Sequence, residues 1–274
     1  MFAGLRKPTE LMVIVVTLLA YGCPVQAIVR AFGLDERTVA NWRERAGQHC
    51  EQVHHALVEP GHLDLVHVQT DEIRVKGHKM IAWMGLALMV STRLWLGGVV
   101  SQTRDTRFAD RLLLQVRACC LAAREVLFCT DGWAAYPDSI RRAFRDKVKR
   151  TAGRGRASLQ VWSGLHIGAV IKHTVNKRVV CHVSHGNLEQ VQRLLQCSAG
   201  RQVLNTSFIE RFNGTMRERL APLTRKCRHA AHRLEVLELE VYLVAVRTIS
   251  VVPIKPWSSA LAQERLAGRD GRLP

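Results

Sequence analysis

Residues 63–71 read LDLVHVQTD. Leu63, Leu65, His67 and Gln69 alternate with Asp64, Val66 and Val68, and side chains that alternate in this way stand on opposite faces of an extended strand. The alternation predicts a strand that ends at Asp71. Working outward, the apolar run from Met80 to Val90 predicts a second strand, and Arg93 to Ser101, with Leu94, Leu96, Val99 and Val100, a third. The connections are short, which suits antiparallel neighbours. Residues 108–120 place Leu112, Leu113, Val116 and Cys120 on one side of a helix, and residues 125–130 form a short apolar strand that stops at Asp131-Gly132. A helix lying between strands serves as a crossover, so the fourth strand is expected to run parallel to an earlier one. Further strands are expected within residues 161–185, around Asn176. Helices are expected over 187–196, 205–220 and 234–246. This order predicts an α/β fold with a mixed sheet flanked by helices.

Residues 11–58 read as helical. Pro24 opens a helix carrying Val25, Ile28, Val29 and Phe32, Gly33 ends it, and Asp35 is suited to cap the next. Helix, Gly-containing turn and helix make a helix-turn-helix outline. The second helix offers Arg37, Thr38, Asn41, Arg43 and Arg45 as candidate DNA contacts, with Val39 and Trp42 turned to the core. Arg6-Lys7, the apolar run from Leu11 to Ala20 and Cys23 together look like an export signal. That run is too short to span a membrane, and Pro8 and Glu10 favour a buried helix in a cytoplasmic, nucleoid-associated protein. Three segments follow from this reading: a helical DNA-binding domain over 1–60, an α/β domain over 61–250, and an irregular tail over 251–274.

Of the 274 residues, 40 are Lys or Arg and 23 are Asp or Glu, a net charge of +17. Such an excess fits a polyanion partner, since neutralising phosphates releases counterions from nucleic acid. Arg141-Arg142, Lys147-Val148-Lys149-Arg150 and Arg154-Gly155-Arg156 concentrate it mid-chain. The hydrophobic content of 47% is enough to build a core and excludes a wholly disordered chain. The 8 cysteines include no CxxC pair and read as reduced thiols. Cys50 and His54, four apart on a helix, offer two metal ligands with nothing nearby in sequence to complete a set of four.

Three acids occupy positions suited to chemistry. Asp71 and Asp131 stand at strand ends, where open α/β sheets form their sites. Glu210 lies on the helix of residues 205–220, which sets Phe208, Phe212 and Met216 on one face and Glu210, Asn213 and Arg217 on the other. Carboxylates so gathered suit Mg²⁺ and two-ion phosphoryl transfer. Spacing alone favours an ordinary solvated face of charge pairs. Glu72 is expected on the sheet face opposite Asp71, and Asp64, Asp138, Asp146 and Glu189 at the surface.

The words around these acids are more specific than their spacing. Thr70-Asp71-Glu72, Trp83-Met84-Gly85-Leu86-Ala87, Thr92 to Val100 and Thr130-Asp131-Gly132-Trp133 with Tyr136 resemble bacterial insertion-sequence transposases of the DDE class. So does Asn205 to Arg217, followed by Arg219-Leu220-Ala221-Pro222-Leu223, which is similar to the third-acid signature of the insertion-sequence-one type. The resemblance covers roughly residues 64–246. It implies an RNase H-like core in which Asp71, Asp131 and Glu210 are the catalytic acids, holding two Mg²⁺ ions with Mn²⁺ as a substitute, and Arg217 is the basic residue that follows the third acid. Arg211 and Asn213 beside it become candidate DNA contacts. The implied reaction cleaves transposon ends with water and then joins the freed 3′-hydroxyls to target DNA. The implied partners are the terminal inverted repeats, target DNA and at least a second copy of the chain. After Val246 the sequence departs from the pattern, which continues with a Tyr-Asn-Phe segment and a Pro-His pair. A neighbouring reading frame can spell such a segment, so a frameshift near Val246 is expected, with 247–274 a non-native tail and this copy impaired. A regulator that binds DNA without cutting it is the alternative.

Overall fold

The computed structural model describes residues 4–60, 62–121, 124–148, 157–173, 178–198, 202–224 and 230–251. Three helices come first: α1 (Thr9–Ala20), α2 (Val25–Phe32) and α3 (Glu36–Leu57). Gly33 closes α2 in the left-handed conformation at φ 60°, which a side chain would resist. The Asp35 carboxylate accepts from the Arg37 amide and caps α3. The apolar stripe of α1 is buried: Met12, Val15 and Leu19 pack with Ile28, Val39 and Trp42. Among the described residues no helix is long and apolar enough to cross a membrane.

The rest of the chain is an α/β layer structure. Its strands are β1 (Val66–Gly77), β2 (Met80–Met89), β3 (Trp95–Ser101), β4 (Val126–Asp131), β7 (Leu165–His173) and β8 (Arg178–His185), in the spatial order β3-β2-β1-β4-β7-β8. β1–β4 and β4–β7 are parallel and the other three pairings antiparallel, so the sheet is mixed. Helix α4 (Thr106–Cys119) is the crossover that lets β4 join β1 in parallel. It packs with α5 (Ala135–Ala143) on one face, around Phe108, Leu112, Val116, Phe128 and Ile140. The other face carries α6 (Leu188–Cys197), α7 (Ser207–Arg219) and α8 (Leu234–Val251), over Leu127, Ile73, Met84 and Leu86. Each such fully buried aliphatic or aromatic side chain contributes about 1.5–3 kcal/mol by leaving water. β5 (Arg145–Val148) and β6 (Ser158–Val161) form a separate exposed hairpin.

One expectation is corrected. The first strand does not end at Asp71 but runs on to Gly77, because β1 changes partners: it is paired to β4 as far as Thr70 and to β2 from Val68 to Gly77. The basic stretch after Tyr136, for which no element was expected, holds most of α5 and all of β5. Asn176, between the expected strands, the runs over 149–156 and nearly all of the 251–274 tail fall outside the described residues. Helix α8 continues unbroken past Val246 to Val251.

The N-terminal helices share a core with the sheet layers through α8. Leu243 joins the cluster of Met12 and Trp42, and Gly47 of α3 lies against the backbone of Leu239.

Candidate active site

β4 terminates at Asp131, and β1 passes that terminus and carries on. Thr70 is the last residue of β1 aligned with β4, opposite Thr130. Asp71 and Asp131 therefore follow side by side on neighbouring strands. Asp71 sits mid-strand in sequence yet at the tip of the parallel part of the sheet. The Trp133 amide donates to Asp131 Oδ1 at 3.0 Å, and the Glu72 amide to Asp71 Oδ1 at 2.8 Å. Asn213 of α7 donates from Nδ2 to Asp71 Oδ2 at 2.7 Å.

Helix α7 is fixed over this point by Gln69 of β1. Gln69 is fully buried, and its Oε1 accepts from the amides of Phe208 and Ile209 at 3.0 Å each. Its Nε2 donates to the Asn205 carbonyl at 2.7 Å. Helix N-termini leave amides unsatisfied, and Gln69 supplies an acceptor for two of them. Ile209, Phe212 and Met216 bury the underside of α7. Glu210 then stands in the first turn, exposed, accepting from Thr206 Oγ1 at 2.6 Å. One strand thus carries both Asp71 and the residue that seats the helix of Glu210.

Asp71, Asp131, Glu210, Asn213 and Arg217 line a single cavity of about 720 Å³. The structure brings together all four sequence-predicted catalytic residues, drawn from β1, β4 and α7. The close grouping of carboxylates at its edge differs from the expected triad. Asp71, Glu72 and Asp131 each place a carboxylate oxygen within 4.8 Å of the others'. Alternation does send Glu72 toward α5, where Tyr136 donates to its Oε2 at 3.0 Å. However, β4 has ended there, so nothing separates the two faces and both carboxylates reach Asp131. Arg104, in the β3–α4 connection, ion-pairs with Glu72 and lies over the Trp83 and Trp133 rings at 5.1 and 4.4 Å.

The crowding of like charges is visible in the protonation equilibria. Burial, then Glu72, Asp131 and Glu210, push the Asp71 carboxyl up to about 7. Burial and Asp131 also raise Glu72, against the pull of Arg104. The Tyr136 hydroxyl is held well above its ordinary range by burial and these same acids. Acidic oxygen donors that oppose one another's ionisation at one cavity form a set suited to a hard divalent cation. Asp71 and Asp131 would hold it, with Glu210 facing the same space and Glu72 close by but engaged by Arg104 and Tyr136.

The other candidates are dispersed. Arg37, Asn41 and Arg45 are exposed on α3, and Thr38 is half-buried there. Arg211 is exposed on α7. Two residues stand elsewhere than expected. Arg43 turns toward α8, where its guanidinium pairs with Glu240 at 2.7 Å. Asn213 is 1% exposed and donates to Asp71, so it orients a carboxylate at the cavity. Sequence reasoning missed Gln69 and Arg104 as site residues and placed Glu72 outside the group. The signal for Gln69 was an amide in the buried phase of the strand, whereas Arg104 carries no periodicity that would single it out. No family model and no curated protein matches the chain.

Proposed function

We propose that the chain is a DNA transposase of the DDE class, built on an RNase H-like core with a helix-turn-helix in front. The observation that carries this reading is the convergence of Asp71, Asp131, Glu210 and Arg217 on one cavity at the tip of the parallel strands. The sheet order supports it, since β3-β2-β1 antiparallel followed by β4 and β7 parallel is the arrangement such a core requires. When bound, Mg²⁺ neutralises charge at the scissile phosphate and polarises its oxygens. The chain's own residues do the positioning. Asn213 holds Asp71 by one oxygen and the Trp133 amide holds Asp131, which leaves the second Asp131 oxygen for ligation. Arg217, two turns beyond Glu210, is placed to take non-bridging phosphate oxygens, as a fixed planar donor does well. Arg104 neutralises Glu72 and keeps a fifth charged group beside the phosphate path.

The exposed side of α3, with Arg37, Asn41 and Arg45, is the surface we assign to the transposon ends. The turn at Gly33 sets its angle to α2. Strand transfer with labelled terminal-repeat DNA and Mg²⁺ tests the assignment. Asp131→Asn is expected to lose about 10²–10³-fold in rate, the scale set by removing one preorganised charge-stabilising group. Equal strand transfer by Asp131→Asn and the unaltered chain refutes the catalytic role; retained end binding with no cleavage by the unaltered chain favours the DNA-binding regulator.

A further inference from the structure

A second group of ligating side chains lies at the opposite end of α3 from the candidate DNA contacts. His54 and His55 stand in the last turn of α3, and Glu59 follows in the turn that leads toward β1. One ring nitrogen from each histidine and a Glu59 carboxylate oxygen lie within 4.8 Å of one another. His55 Nδ1 is already 2.7 Å from Glu59 Oε1, and Glu51 stands one turn earlier with Oε1 3.8 Å from His55 Nε2.

His54 is the anomaly. It is 2% exposed, and beyond a weak pull from the Trp95 main chain neither of its ring nitrogens has a hydrogen-bond partner. The ring is held against Trp95 at 4.6 Å and Tyr242 at 5.6 Å, so it cannot swing out to find one. Burial pushes its imidazole below the usual range, against the weaker pulls of the Trp95 main chain and the Glu59 charge. A buried polar group without a partner costs about 1–3 kcal/mol and calls for a ligand. A cation there is further favoured by the negative end of the α3 macrodipole.

We infer that His54, His55 and Glu59 form a second cation site, for a borderline transition-metal ion of the Zn²⁺ type, separate from the carboxylate site. Two neutral imidazoles and one carboxylate are the ligands such an ion selects, whereas the all-oxygen set at Asp71 suits Mg²⁺. Bonds of about 2.0–2.1 Å place tetrahedral ligand atoms roughly 3.3–3.5 Å apart, between the 2.7 Å of the His55–Glu59 pair and the 4.8 Å within which the trio lies, so ligation asks for shifts of roughly 1 Å, within the reach of Glu59 and the half-exposed His55. The fourth position is left to water. Such an ion would staple the end of α3 to the turn that follows it, and so set the long helix relative to β1.

The full-length chain, stripped by chelation, is titrated with Zn²⁺ in competition with a chromophoric chelator. The titration is run in an Asp71→Asn/Asp131→Asn background so that the carboxylate site does not contribute. One tight equivalent is expected, with imidazole scattering in its X-ray absorption spectrum. His55→Ala and Glu59→Gln, both surface changes, are expected to weaken it by roughly 100-fold, at or beyond the loss seen on removing even an outer partner of a ligand. His54→Ala opens the core and is not needed. Absence of uptake, uptake unchanged by both variants, or a spectrum without imidazole overturns the site. None of these results bears on strand transfer, so failure here and failure of the transposase reading are distinguishable.

Discussion

Asp71 is the residue at which the proposed chemistry and the stability of the chain oppose each other. Its carboxyl titrates near 7 in the folded chain against 3.8 when free, because burial and Glu72, Asp131 and Glu210 disfavour its charge. Between those two values the folded chain binds the extra proton, so stability falls as pH rises from about 4 to about 7 and stays low above that. Asp71→Asn removes the charge and retains an oxygen for Asn213. In the absence of divalent ions, the variant is therefore expected to be more stable than the unaltered chain by about 1–3 kcal/mol at pH 8, with the gap closing toward pH 4. Mg²⁺ should then stabilise the unaltered chain and leave the variant unmoved, because ligation requires the ionised carboxylate. Thermal melts at the two pH values, with chelator and with Mg²⁺, check this; an Asp71→Asn chain that is weaker at pH 8 would make Asp71 a structural acid. The identity of this residue was readable from the Thr70-Asp71-Glu72 triplet, but its setting was not. Which acids crowd it depends on where β4 stops beside β1, and that is a property of register between strands 60 residues apart.

Elements meet here through a few polar or small residues within apolar surroundings. Gln69→Leu keeps the bulk of the side chain and removes the acceptor of the Phe208 and Ile209 amides and the donor to Asn205. The expected cost is about 2–4 kcal/mol, given about 1–3 per buried group left unpaired. Strand transfer should fall further than the folded fraction does, since α7 and Glu210 lose their seat; activity that merely tracks the folded fraction would deny Gln69 a positioning role. The mid-helix glycines give a second, signed test. A methyl at Gly47 of α3 would come within 2.7 Å of the Leu239 backbone in α8, whereas one at Gly214 of α7 meets nothing within 4 Å. Gly47→Ala is expected to destabilise by about 1–2 kcal/mol through overpacking, and Gly214→Ala to stabilise by about 0.5–1 through helix propensity. Opposite shifts in the urea midpoint are the check. Strand and helix positions were legible because burial on one face imposes a period. The length of β1, the small hairpin of β5 and β6 and the seat of α7 were not, because each depends on which partner is adjacent in space. The same holds for Glu72, whose alternation was read correctly and whose reach around the end of β4 was invisible.

For the whole molecule, the net charge of +17 predicts that DNA binding weakens steeply with salt, by about 0.9 in log–log slope for each phosphate neutralised. Which arginines supply that slope depends on how α3 sits on the rest of the chain. Arg37 and Arg45 face solvent, while Arg43 is turned to α8 and paired with Glu240, whose carboxyl burial already pushes upward. Arg37→Ala with Arg45→Ala should therefore lower the salt slope by about 2 and leave stability within about 0.5 kcal/mol. Arg43→Ala should do the reverse: an unchanged slope, and a loss of about 1–3 kcal/mol from the half-buried carboxylate left without its partner. End-binding titrations over a range of salt, beside urea denaturation of each variant, separate the two. If Arg43→Ala lowers the slope as Arg45→Ala does, α3 must leave α8 when it meets DNA, because the guanidinium cannot serve Glu240 and a phosphate in the same arrangement. The packing of Gly47 on Leu239 argues against such a separation, since it would expose the apolar seam that joins the N-terminal helices to the sheet.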